Sequence, residues 1–180
     1  MSFYTFLVAQ LPQLSLDLRA PYTVSGFVEY VSEWLSEQEQ TVLRAILNNE
    51  PSDDPVVQDY RLYDESLRNQ LALLRGVKLN RDAGHFVRSG EKPDHQTRHI
   101  LSECVKDENP EHAEKQLDKL RWQFIEYRTS LDYFNFSFLV GYLLKLKLVE
   151  RWSTLDEKVG KELLQSALQE GTGETQGTPS

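Results

Sequence analysis

Apolar positions recur along this chain at spacings of three and four residues, the period that gathers side chains on one face of an α-helix. Val24 to Leu35 carries Phe27, Val28, Val31, Trp34 and Leu35 on such a face, with Thr23 placed to cap its start. Ser36-Glu37-Gln38-Glu39 has the reciprocal pattern of a capping box and opens a helix through Leu43, Ile46 and Leu47. After a polar, acidic turn from Asn48 to Pro55, a long helix is predicted over 56–79, softened in its last turn by Gly76, at about 1 kcal/mol relative to alanine. Asp94 caps a helix of about 95–107. Asn109-Pro110 joins a cap residue to a proline at the first helical position, and that helix runs to about Arg128 through Ala113, Leu117, Leu120, Phe124 and Tyr127.

The most apolar helix starts at Asn135 or Asp132 and holds Phe136, Phe138, Leu139, Tyr142, Leu143, Leu146 and Val149. Hydrophobic nearly all round in its middle, it is expected to be buried on more than one side. Thr154-Leu155-Asp156-Glu157 reads as another capping box, opening a final helix to about Gln169. Phe3 to Leu11 is ambiguous by period and leans to helix; Gln13 to Tyr22 and Asn80 to Pro93 read as loops. No strand pattern of period two appears. The expected fold class is therefore all-α, a packed bundle of about seven helices in a single domain over residues 1–170. The stretch Gly171 to Ser180 has no periodicity and is expected to be disordered.

Net charge is −8 and unevenly spread: residues 1–60 carry nine acids and two bases, the remainder nineteen and eighteen. An acidic chain with balanced helix faces lacks the electrostatic footprint of a nucleic-acid binder, whereas its acidic first third suits a basic protein partner. No window approaches the apolar length of a membrane span, and the apolar start lacks the basic region and cleavage site of a signal peptide. The single cysteine, Cys104, makes no internal disulfide, fits a reducing cytoplasm and reads as a packing residue.

Candidate chemistry is sparse. His95 and His99 stand four residues apart on a predicted helix, but no third ligand has motif spacing and HExxH is absent, so they read as exposed and no metal is expected. Asp53-Asp54, Asp64-Glu65 and Asp156-Glu157 are neighbours, which on a helix do not face one another, and they are taken to serve helix N-termini. No phosphate loop or nucleophile elbow is present, so neither catalysis nor a cofactor is expected. Tyr60, Tyr63, Trp122, Tyr127, Phe134, Phe136, Phe138 and Tyr142 recur at helical spacings and are expected mostly in the core. Arg68, Asn69, Glu150 and Arg151 interrupt apolar helices and are the candidate helix-seam or interface residues, with Arg68 to Glu150 a candidate ion pair that would orient two helices. A weak internal similarity lays Asp59-Tyr60 on Asp132-Tyr133, so that Leu67 meets Val140 and Leu71 meets Leu144.

Four segments occur in a recognisable order: Phe3-Tyr4-Thr5-Phe6-Leu7-Val8-Ala9-Gln10-Leu11-Pro12-Gln13-Leu14; Tyr63-Asp64-Glu65-Ser66-Leu67-Arg68-Asn69; the helix from Glu108-Asn109-Pro110 to Arg121-Trp122; and Gly141-Tyr142-Leu143-Leu144-Lys145-Leu146-Lys147-Leu148-Val149-Glu150-Arg151-Trp152. Over about residues 3–165 this succession resembles a bacterial family of unknown function whose members are found with V/A-type ATPase genes. That family is similar in turn to the C (or d) subunit of V/A-type ATPases, a funnel of helical repeats between the central shaft and the membrane ring. At 180 residues the chain is too short for three full repeats, so the resemblance implies part of that fold. It also implies a non-catalytic structural or accessory role in the central stalk of an ion-transporting ATPase. The implied partners are other ATPase subunits, met from the cytoplasm, with any membrane association made through them. A stand-alone helical adaptor binding through its acidic first third is the alternative.

Overall fold

Polar residues set where the helices begin, and they do so with their side chains. In the computed structural model, which describes residues 3–87 and 92–173, seven α-helices follow one another and the described residues contain no strand. They are α1 (Phe3–Gln10), α2 (Val24–Ser32), α3 (Glu37–Asn48), α4 (Pro55–Lys78), α5 (His95–Lys106), α6 (Pro110–Thr129) and α7 (Phe136–Gly173), with a short 3-10 turn at Gly84–Phe86. Thr23 accepts from the Gly26 amide, Ser36 and Glu39 form the reciprocal box, Asp94 accepts from Thr97, and Asn109 accepts from Glu111 and His112. Each relieves orphan amides of a first turn. Asp54 does the same for Val56 and Val57 ahead of Pro55, so of the Asp53-Asp54 pair it is Asp54 that serves the helix start as expected. Asn49 closes α3 in the left-handed region, at φ 59°, which asparagine tolerates better than most residues.

The expected break at Thr154 does not occur. α7 runs unbroken from Phe136 to Gly173, about 57 Å at the helical rise. The Thr154 hydroxyl donates to the Glu150 carbonyl one turn back instead of capping a new start. Neither glycine nor proline interrupts Glu150 to Thr154, so nothing in the backbone opposes continuation. Residues 171–173, expected in the tail, belong to this helix, and 174–180 lie outside the described residues.

Two hydrophobic cores form. The larger gathers Leu7 and Val8 of α1, Phe27, Val28 and Val31 of α2, Leu43 and Ile46 of α3, Val56 and Val57 of α4, Ile125 of α6, and the first half of α7. Leu139, Val140, Leu143 and Leu146 are wholly buried and Tyr142 nearly so, as expected of a helix apolar on several sides. The smaller core holds Leu67 and Leu71 of α4, Leu101 and Cys104 of α5, and Leu117 and Leu120 of α6. Tyr63 stacks on Phe124 with ring centroids 4.2 Å apart. Asp59 pairs with Arg128 and Asp64 with Arg121, so α4 and α6 run antiparallel; Lys145 with Glu126 and Arg151 with Asp118 make α6 and α7 antiparallel too. α4 and α7 therefore point the same way. At the α6–α7 crossing a Cβ on Gly141 would lie 2.8 Å from the Thr129 methyl, so only glycine permits this approach. Gly76 likewise lies under Ala83, and its carbonyl accepts from the Arg81 amide as the chain leaves α4.

The aromatic expectation holds for part of its set. Tyr142 is buried, and Tyr60, Tyr63, Trp122, Phe136 and Phe138 are half-buried, but Tyr127 and Phe134 are exposed, as is Trp34 of the α2 stripe. α2 ends at Ser32, so Trp34 leaves the helical register that would have turned it inward.

Leu143→Ala removes a wholly buried side chain from the larger core and is expected to cost about 2–5 kcal/mol. Urea unfolding measures this; an unchanged midpoint would mean that α7 does not form the centre of the core.

Candidate functional site

Between the two cores, α4, α6 and α7 meet across a line of charge. Asp118 of α6 is completely buried, and its carboxylate accepts from Arg121 at 2.8 Å, from the Trp152 indole at 2.8 Å, and from Arg151. Arg121 also donates to Asp64 of α4 at 2.8 Å, and Arg68 donates to the other oxygen of Asp64. Arg151 reaches Glu114 as well. A buried charge is tolerated only when paired and hydrogen-bonded, and both conditions are met for these aspartates. Burial alone would lower the Arg121 pKa, but Asp64 and Asp118 outweigh it and raise it. Beside them Tyr60 has its hydroxyl pKa pushed up to about 12, by burial first and then by the charge of Asp64.

Above this line opens a cleft of about 920 Å³. Its walls carry Arg61, Arg68, Arg121, Lys147 and Arg151 against Asp64, Glu65 and Asp118, while Ile46, Val57, Leu144 and Leu148 supply apolar surface. Five cations to three carboxylates make it locally positive in a chain of net charge −8. The charges are layered. Asp118, Asp64 and Arg121 have side chains 0, 11 and 13% exposed, whereas Arg151 and Arg68 reach 43 and 69%. At the far end Lys147 donates to the Ile46 carbonyl and Asn49, and Arg61 to the Asn49 and Glu50 carbonyls. Lys147 thus serves a C-terminal carbonyl of α3 and Arg61 the turn just after it, where the helix dipole favours positive charge. Burial and the neighbouring Arg61 depress the Lys147 pKa, against Glu150.

Of the four sequence candidates, Arg151 lies in the seam and Glu150 in a different one. The Arg68–Glu150 ion pair is not formed. Glu150 accepts at 2.9 Å from the amide of Val24, tying α7 to the start of α2, and Arg68 pairs within its own helix with Asp64. Arg68 and Asn69 line the mouth of the cleft. The residues that hold the seam, Asp64, Asp118 and Arg121, were not among the candidates. Asp64 does not serve a helix N-terminus as expected; it is buried in the middle of α4. A usable signal existed, since Asp64 falls in the apolar register of Val57, Tyr60, Leu67 and Leu71, and Asp118 stands two turns before Ile125.

The histidines lie apart from this cleft. His95 and His99 are exposed on α5, and His99 and His112 border a separate groove beside Cys104. Cys104 is buried in the smaller core, where burial and then Asp107 push its thiol up, away from nucleophilic character. Among the described residues no group of three His, Cys, Asp or Glu side chains is arranged to hold a metal ion.

A second surface stands at the α6–α7 corner. Tyr127, Leu131, Tyr133 and Phe134 are 82, 96, 55 and 54% exposed within eight residues of chain. Asp59, Asp132 and Asp54 surround Arg128 at this corner and, after its hydrogen bond to Asp59, raise its pKa against burial. No described helix is long and apolar enough to cross a membrane.

Residues 95–172, less than half of the chain, match the model of a family described as a protein of unknown function (DUF2764). The match covers α5, α6 and nearly all of α7, including Asp118, Arg121 and Arg151. No curated protein and no solved structure matches the chain.

Asp118→Asn leaves Arg121 and Arg151 with a weakened partner in a dry site and is expected to cost about 3 kcal/mol or more. Arg68→Met removes an exposed guanidinium and leaves Asp64 paired with Arg121, so it should cost less than about 1 kcal/mol. Denaturant melts of the two variants test this contrast, and equal effects would remove Asp118 from its central place.

Proposed function

We propose that this chain is a non-catalytic structural or accessory subunit of a V/A-type rotary ATPase, coupling or assembling the central stalk and membrane ring from the cytoplasmic side. The observation that carries the reading is the exposed corner of Tyr127, Leu131, Tyr133 and Phe134 with its acidic surround. Aromatic side chains clustered in solvent cost hydration free energy and are typical anchors of protein interfaces. The body behind them is braced by packed helices and a buried charge seam, which suits a part that transmits position. The ordered resemblance of four segments to an ATPase-associated family supports the choice of partner.

A stand-alone adaptor is the second reading. The exposed acids Glu29, Glu33 and Glu37 stand beside exposed Tyr30 and Trp34, an acidic and aromatic face fit for a basic protein.

Tagged protein incubated with solubilised ATPase is expected to recover a stalk or ring subunit at low salt and less of it at high salt. A Tyr133→Ser/Phe134→Ser variant should lose that recovery. Recovery of no ATPase subunit at low salt ends the ATPase reading in favour of the adaptor; recovery undiminished in the variant moves the contact away from the corner.

A further inference from the structure

The charge layering of the cleft has a use independent of any ATPase. Asp64 and Asp118 lie at the bottom, each bonded to Arg121, whereas Arg68 and Arg151 stand outward. α4 and α7 run in the same direction, and the pairings through α6 put Arg61 near the level of Lys147 and Arg68 near the level of Arg151. Two cationic rungs result, roughly 6–10 Å apart along the helix axes at the helical rise. Neither Arg61 nor Lys147 forms an ion pair among the described residues; both meet only neutral acceptors at α3, and they repel each other. The other rung leaves much of Arg68 and Arg151 in solvent. Between the rungs lie Leu148 and Asp64, the latter bonded to Arg121, with Glu65 on the wall, while Val57, Leu144 and the Tyr60 ring flank the Arg61–Lys147 rung.

The geometry points to a binding site for a small molecule with two anionic groups separated by an apolar or neutral spacer, one group on the Arg61–Lys147 rung and the other on Arg68–Arg151. Guanidinium groups suit both carboxylate and phosphate oxygens, so a dicarboxylate and a bisphosphate share the required chemistry. The volume of about 920 Å³ accommodates a ligand of this size. Asp64, Asp118 and Glu65 offset three of the five cations of the lining, Asp64 and Asp118 through bonds to Arg121, Arg68 and Arg151, and an excess of two positive charges remains for the ligand.

Calorimetric titration of the full chain at fixed ionic strength tests the site with three probes: adipate, fructose 1,6-bisphosphate and inorganic phosphate. At least one two-headed probe should bind about tenfold or more tightly than inorganic phosphate, and whichever does identifies the ligand as carboxylate or phosphate ester. Arg68→Gln, which leaves Asp64 paired with Arg121, should melt within a few degrees of the parent and abolish that advantage; Lys147→Gln should abolish it from the other rung. The proposal fails if no small probe binds at about 10 mM, if a single-headed probe binds equally well, or if both variants keep the parent affinity. Binding of polyglutamate with neither two-headed probe bound also overturns it, since the cleft would then be a peptide contact.

Discussion

The buried carboxylate of Asp118 is the contact on which the rest of the arrangement turns. Its partners come from both sides of α6: Arg121 carries it to α4, and Arg151 and Trp152 carry it to α7. A charge at zero exposure is costly unless every lone pair is used, so its three donors hold three helices in one register. Hydrophobic packing alone tolerates rotation and sliding more readily, and a polar seam between two apolar cores narrows those choices.

The same seam explains why a positive cleft opens in an acidic protein. Seating the aspartates inward requires guanidinium groups around them, and each long side chain extends its remaining surface outward. The end of α3 and the turn after it add two more cations, Lys147 on the Ile46 carbonyl and Arg61 on the Asn49 carbonyl. Structural demands thereby build a positive cleft. The aromatic corner at α6–α7 has a different origin: Gly141 lets α7 cross tightly over Thr129, and the short connection leaves Leu131, Tyr133 and Phe134 little core to enter.

Several local features were legible from the residues because their causes are local. Ser36 and Glu39 cap α3 through atoms three residues apart, and Asn109-Pro110 starts α6 by the same kind of short-range chemistry. The core face of α7 followed from period and apolarity alone. Thr154 misled for a related reason: a hydroxyl that can cap can equally donate to the carbonyl one turn back, and helix continuity decides between the two.

The sequence by itself thus determined an all-α fold, most helix starts and the identity of the central core residues, since helical period and capping act within a few positions of chain. Which charges meet was decided only in three dimensions. Arg68 is the exception, since Asp64 stands one turn back on its own helix, but Glu150 carries no local signal for the Val24 amide it binds. Asp118 looks like one more acid on a charged helix until α4 and α7 close over it. Pairing depends on helix direction and rotation, which are set jointly by both cores, and so the seam, the cleft above it and the exposed aromatic corner belong to the tertiary structure.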